Sequence, residues 1–187
     1  MHESDLTLVE RAQGGDRQAF ASLIERYKVR VFHTCYRLLR SREEAEEAAQ
    51  DTFVRAYRGL GKFRQEASFS TWIYRICYNQ CLDRMKKLRS QPVKVSENKL
   101  AVVPDPSTAE ASLSSGELQD LIDAVMAELP DRYRAVLVLY HIQQLSYQEI
   151  AEVLGEPINS VKTHLFRGRA LLREKVLERM PEEEWAE

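Results

Sequence analysis

The chain has 187 residues, 44% hydrophobic and 30% charged, with 7 glycines, 6 prolines and a formal net charge of -2. That balance excludes a collagen-like or low-complexity chain and leaves few breaks for a β-rich fold, so a mostly helical protein of one or two small domains is expected. The near-zero total conceals an asymmetry: residues 1–90 carry a net +5, residues 91–117 a net -2 and residues 118–187 a net -5, and a phosphate backbone responds to local rather than total charge.

Helical signals fill the first segment. Asp5 is placed to cap a short helix ending near Gly14-Gly15, and Asp16 caps a second, in which Phe20, Leu23, Ile24, Tyr27, Val31, Cys35 and Leu38 recur at three- and four-residue steps. Ser41-Arg42-Glu43-Glu44 matches the S-x-x-E capping box and opens a third helix. Ala45, Ala48, Ala49, Thr52, Phe53 and Tyr57 lie on one side of it, and Gly59 and Gly61 stop it. GLGKFRQEAS reads as a loop, and Ser68 or Ser70 caps a fourth helix that runs to about Arg89. Residues 91–117, with Pro92, Pro104, Pro106 and many serines, read as a flexible linker.

The helical period returns at Leu118. LQDLIDAVMAEL ends at Leu129-Pro130, Asp131 caps DRYRAVLVLYHIQ, and LSYQEIAEVLG and SVKTHLFRGRALLREKVLERM follow, before an acidic tail at 181–187. The expected architecture is therefore all-α, with two small helical domains at 1–90 and 118–180 joined by a flexible linker.

Ser146-Tyr147-Gln148-Glu149 is a second S-x-x-E cap. It opens a short helix carrying Ile150, Ala151, Val153 and Leu154, which Gly155 ends, and Val161, Leu165 and Leu172 form the buried side of the next helix. Two short helices with a tight turn, the second one basic, predict a helix-turn-helix whose second helix enters the major groove. On that helix Asn159, Ser160, Lys162, Thr163 and Arg167 lie away from the apolar side. Arginine and lysine suit guanine edges, asparagine suits adenine, and serine or threonine suits bases or phosphates. Arg169 and Arg173 come later and suit the backbone. A solvated basic face on a plain helical hairpin is the structural alternative.

FSTWIYRICYNQCLDRMKK, Phe69 to Lys87, mixes aromatics with polar groups. Phe69, Trp72, Ile73, Ile76 and Cys77 project onto one buried face, while Arg75, Asn79, Asp83 and Lys86 form a polar stripe, and the preceding loop adds Phe63, Arg64 and Ser68. Aromatic faces beside arginines are what a protein needs to hold unstacked bases and their phosphates. The residues alone support core packing and single-strand binding equally.

The three cysteines, Cys35, Cys77 and Cys81, lack the spacing of a disulfide framework and contain no C-x-x-C pair. Cys77 reads as core, so neither metal nor cofactor is expected, and no nucleophile motif or glycine-rich phosphate loop suggests an enzyme. MHESDLTLVERAQGGD lacks a basic-then-apolar signal, and no run approaches the ~18 apolar residues of a membrane span, so a cytoplasmic protein without membrane insertion is expected.

Taken in order, AFASLIERYKVRVFHTCYRLL, EEAEEAAQDTFVRAYRGLGKF, FSTWIYRICYNQCLDRMKK, ELPDRYRAVLVLYHIQQLSYQEIAEVLG and SVKTHLFRGRALLREKV resemble the successive conserved blocks of bacterial sigma-70 family initiation factors. The short two-domain form resembles the extracytoplasmic-function (ECF) group. The resemblance implies a sigma2 domain at 1–90 and a helix-turn-helix sigma4 domain at 118–180. It implies that Gln50, Asp51, Phe53 and Arg55 dock on the clamp helices of the RNA polymerase β′ subunit. Phe63, Arg64, Ser68 and Phe69 would shape a pocket for a flipped minus-10 base, with Trp72, Arg75 and Asn79 along the strand path. Asn159, Ser160, Lys162, Thr163, Arg167 and Arg169 would read or clamp the minus-35 element, while sigma4 docks on the β flap. Where housekeeping relatives carry two adjacent tryptophans, Trp72 is followed here by Ile73. An anti-sigma factor is a further implied partner. The competing expectation is a dimeric helix-turn-helix regulator of duplex DNA, with residues 1–90 as a sensing or dimerising domain.

Overall fold

The structure, a computed structural model, describes residues 3–90 and 113–179. Most of the predicted linker and the acidic tail lie outside these residues. Every regular element among the described residues is helical. In chain order α1 spans Asp5–Gln13, α2 Arg17–Leu39, α3 Arg42–Gly59, a short 3₁₀ turn Leu60–Lys62 and α4 Phe69–Ser90. After the linker come α5 Leu113–Glu128, α6 Asp131–Leu137, a π-helical turn Val138–Ile142, α7 Tyr147–Leu154 and α8 Ile158–Leu177. The helix α5 thus starts five residues before Leu118, inside the span read from composition as linker.

Local chemistry sets most of these boundaries. The Asp16 carboxylate accepts the amides of Gln18 and Ala19, and the Ser41 hydroxyl accepts that of Glu44. Ser68 accepts the Thr71 amide at 3.1 Å and so opens α4. Two expected caps are displaced. Ser4, not Asp5, caps α1, because the Asp5 carboxylate takes bonds from Arg26 and Tyr27 of α2. Pro130 occupies the cap position of α6, and Asp131 instead receives Arg134 and Arg89.

The first unit packs α1, α2, α3 and α4 around Leu23, Val31, Leu38, Ala48, Ala56 and Ile73, all buried. Alanines at 45, 48, 49 and 56 make the α3 face small enough to lie close against its neighbours. In the second unit α6, α7 and α8 enclose Val136, Leu139, Ile150, Val153, Val161 and Leu165. Gly168 is where α8 crosses α6: a Cβ there would lie 3.3 Å from both Leu137 Cδ1 and Tyr133 Cβ.

The two units also pack against each other, α4 on α7 and α2 on α5 and α6. Gln143, 7% exposed, sits in this seam. Its amide carbonyl accepts the Tyr74 hydroxyl, and its Nε2 donates to Thr34 Oγ1 at 3.0 Å and to the Arg30 carbonyl at 3.4 Å. Arg134, 2% exposed, donates to the carbonyls of Ala127, Leu129 and Leu38. Arg37 pairs with Asp123. Paired in this way, the buried polar groups fix one register between the units.

Candidate nucleic-acid and partner interfaces

The loop before α4 is built as an aromatic shelf. Gln13 donates to the carbonyls of Leu60 at 2.9 Å and Phe63 at 2.8 Å, pinning the loop to α1. Phe63 stacks on Trp72 with centroids 4.7 Å apart and planes inclined by 28°. The indole edge lies over Gly59, where a Cβ would stand 3.4 Å from Trp72 Cζ2. Phe69 lies beneath, 6.2 Å from Phe63 and 5.4 Å from Tyr27, and is buried. Of the residues expected to take a flipped base, Phe63 and Trp72 are thus half-buried and meet face to face. Arg64, Ser68, Arg75 and Asn79 are exposed, and Phe69 supports the shelf from below. Ser68, Trp72, Arg75 and Asn79 follow one another at four, three and four residues and so share a face of α4.

The outer face of α3 carries the expected docking residues. Gln50, Asp51 and Arg55 are exposed, and Phe53 is half-buried against the core. Arg84 of α4 reaches across to Glu44 and Glu47, each at 2.8 Å, and to Asp51 at 2.7 Å. Burial opposes the guanidinium's charge, but the bonds it donates to these carboxylates outweigh it and hold it protonated. One oxygen of Asp51 is therefore already engaged within the domain. Tyr57, which periodicity placed on one side of α3 with the alanines, is 51% exposed, with its ring 5.1 Å from Phe20. With Val54, 46% exposed, it forms an apolar patch beside Gln50. Sequence reasoning missed this pair; the signal was that 50, 54 and 57 follow at four and three residues, off the alanine stripe.

The helix-turn-helix is formed by α7 and α8. The capping box is complete: Ser146 Oγ accepts the Glu149 amide at 3.3 Å and Glu149 Oε2 accepts the Ser146 amide at 2.9 Å. Burial raises the pKa of Glu149, yet the Ser146 amide and hydroxyl and the Thr71 hydroxyl outweigh it, leaving the carboxyl below its ordinary value. Gly155 ends α7 at φ +68°, a left-handed turn suited to glycine.

On α8, Val161 and Leu165 are buried while Asn159, Lys162, Thr163, Arg167 and Arg169 are exposed. Ser160 lies half-buried at the edge, and the Thr163 hydroxyl donates back to the Asn159 carbonyl at 2.9 Å. Arg169 is held at the margin, its guanidinium 4.9 Å from the Tyr140 ring centroid and its Nε donating to His141 Nε2 at 3.1 Å. Burial first, and Arg169 second, lower the His141 pKa. The centre of the exposed face belongs to Phe166, 76% exposed. An apolar residue on a basic helix carries no base-reading signature in sequence, although it can pack on a thymine methyl.

Two surfaces with unlike chemistry, an aromatic shelf whose loop and helix also carry the exposed Arg64 and Arg75, and a helix-turn-helix with a basic second helix, define a helical nucleic-acid-binding protein. Comparison with known proteins makes the class specific. Residues 23–91 match Sigma-70 region 2, and residues 119–172 match Sigma-70, region 4. The chain is 36% identical to the ECF RNA polymerase sigma factor SigW of Bacillus subtilis, over 90% of this chain and 94% of that one. It is 31% identical to the RNA polymerase sigma-H factor of Pseudomonas aeruginosa, over 89% and 91% of the two chains. Its fold is similar to that of CnrH in complex with the cytosolic domain of CnrY (TM-score 0.73, 23% identity, 95% of this chain and 100% of that one). It is also similar to the sigma factor RpoE from Bartonella quintana, solved with the anti-sigma factor NepR (TM-score 0.68, 20% identity, 87% and 98%). The chain belongs to the sigma-70 family, in its ECF group.

Proposed function

We propose that this protein directs core RNA polymerase to a two-part promoter and begins strand opening there. The observation that carries the reading is the pairing of the Phe63–Trp72 shelf in one unit with the helix-turn-helix in the other. A flipped minus-10 base is taken at the shelf, above Phe69, with Arg64, Ser68, Arg75 and Asn79 holding the strand around it. Stacking of this kind is worth about 1–3 kcal/mol per base. The second helix of the helix-turn-helix reads the minus-35 duplex through Asn159, Ser160, Lys162, Thr163 and Arg167, with Phe166 at its centre and Arg169 at the phosphates.

The α3 face, with Gln50, Asp51, Phe53 and Arg55 around Val54 and Tyr57, docks on the β′ clamp helices, and the second unit docks on the β flap. An anti-sigma factor that covered the α3 face would compete with polymerase. The protein supplies binding and positioning in the cytoplasm, while nucleotide addition belongs to the polymerase. No helix among the described residues is long and apolar enough to cross a membrane.

Co-elution of the purified chain with core polymerase, together with a run-off transcript that depends on adding it, is the expected result. Tight duplex binding by a dimer without polymerase, and no dependent transcript, would instead make it an ordinary helix-turn-helix regulator.

A further inference from the structure

All three cysteines of the chain meet in the core of the first unit, a convergence unrelated to either nucleic-acid surface. Cys35 comes from α2, and Cys77 and Cys81 from successive turns of α4, with their three sulfurs within 4.8 Å of one another. Each residue is 0% exposed. The sulfurs of Cys35 and Cys77 are 3.3 Å apart, inside the ~3.5–4.0 Å at which apolar atoms ordinarily rest.

Two chemistries use thiols this close. A metal ion about 2.3 Å from each sulfur would leave three thiolates sharing one cation, and zinc would seek a fourth ligand. Among the described residues no histidine, aspartate or glutamate joins the cluster. The nearby cation, Arg84, is committed to Glu44, Glu47 and Asp51, so a net negative metal–thiolate centre would lie in the core without compensation. A disulfide, by contrast, is neutral before and after it forms and needs only two of the sulfurs. Hydrogen bonds from Cys77 and Cys81 lower the Cys35 pKa to about 5, whereas hydrogen bonding to Cys35 pushes Cys77 and Cys81 up. Of the three thiols, Cys35 is therefore the one that gives up its proton most readily.

We propose that Cys35 and Cys77 are a modification site at which a hydroperoxide forms a disulfide between α2 and α4, leaving Cys81 as a free thiol. Cys35, losing its proton as local opening admits the peroxide, attacks one peroxide oxygen as a thiolate; the O–O bond breaks and the leaving hydroxide takes up that proton as water, producing a sulfenic acid at Cys35. The Cys77 sulfur attacks that sulfur, and the thiol proton leaves with the sulfenic hydroxyl as water. Two thiols are oxidised by two electrons, and hydrogen peroxide is reduced to two waters.

The sulfurs must close from 3.3 Å to about 2.05 Å, so the packed helix pair has to adjust. Thr34 precedes Cys35, and Tyr74 lies one turn before Cys77; both bond Gln143 of the second unit. The cross-link therefore ties α2 to α4 directly beneath the seam. Burial excludes bulky reagents, while hydrogen peroxide, little larger than water, enters during local opening. In a reducing compartment such a bond is transient, as a sensing disulfide is.

The test treats native full-length protein with hydrogen peroxide, then unfolds it in excess N-ethylmaleimide and maps the peptides without reduction. Alkylated cysteines should fall from three to one, with the Cys35 and Cys77 peptides joined and dithiothreitol restoring all three. Cys81→Ser should keep the bond and Cys77→Ala should abolish it, circular dichroism verifying that both variants fold. If either variant fails to fold, the peptide map of the unaltered chain decides alone. Three free thiols at a peroxide dose that converts free cysteine would overturn the proposal. So would a bond running mainly to Cys81, or stoichiometric zinc in the untreated protein.

Discussion

Trp72 has two duties on one side chain. Its ring stacks on Phe63 and covers Gly59, yet it remains half-buried, on the helix face it shares with Arg75 and Asn79. Trp72→Ala should lower open-complex formation, read by permanganate footprinting, by about 5- to 150-fold, the equivalent of losing roughly 1–3 kcal/mol of base stacking. Core-polymerase affinity should stay within about twofold, because the α3 docking face is elsewhere; equal losses in both assays would assign Trp72 to packing alone. Arg75 is exposed on the same stripe and lies outside the core. Arg75→Ala should therefore leave the melting temperature unchanged while lowering promoter-dependent transcription and flattening its salt dependence by about one unit of slope.

Among the elements, α7 is the shortest of the DNA-reading pair and depends most on its ends. Its eight residues are too few to persist alone, so the capping box and the Gly155 turn define it. Ser146→Ala should destabilise the protein by about 0.5–2 kcal/mol in denaturant unfolding. Glu149 adds a pH dependence. Its folded pKa is depressed, so the unfolded chain binds the proton more readily, and the carboxylate's contribution is complete at neutral pH and lost as pH falls below the ordinary carboxylate range. Melting curves from about pH 7 to about pH 3 should show wild type and Glu149→Gln converging in acid. A constant gap would mean that charge at Glu149 does not stabilise the cap.

At the scale of the whole molecule, the closed seam and promoter reading make opposite demands. Glu149 of α7 accepts from Thr71 of α4 at 3.3 Å, so the helix-turn-helix packs directly on the helix that carries Trp72. Promoter elements a turn or more apart on duplex DNA are separated by at least about 34 Å. The units must therefore part, and residues 91–112 could at full extension of ~3.3 Å per residue reach roughly 70 Å. Tyr74→Phe removes the hydroxyl that Gln143 accepts and leaves a buried carbonyl unpaired, a penalty of about 1–3 kcal/mol in the closed form that water relieves in the open one. Small-angle scattering should show a larger radius of gyration for this variant. An unchanged radius would mean that the apolar α4–α7 face, not the Gln143 network, holds the units together.

Features that depend on neighbours within about four residues could be read from the chain itself, because capping and helical periodicity act over one turn. Asp16, Ser41 and Ser146 cap as their spacing requires, Gly155 turns the chain, and Val161 and Leu165 face inward. The blocks in order also disclosed the family. Asp5 and Asp131 failed as caps because Arg26, Tyr27, Arg89 and Arg134 claimed their carboxylates. The π turn at Val138–Ile142 has no local sequence signal; it widens the helix where Gln143 enters the seam. Tyr57 and Phe166 show that an apolar residue's exposure depends on what crosses its helix. Cys35 and Cys77 are 42 positions apart, and Arg134 reaches the Leu38 carbonyl over 96. The sequence by itself determined most of the helices, the ends capped by Asp16, Ser41 and Ser146, and the helix-turn-helix, since those follow from interactions along one turn. Only the tertiary structure decided the aromatic shelf, the seam and the thiol cluster, because each joins side chains whose meeting depends on how whole helices cross.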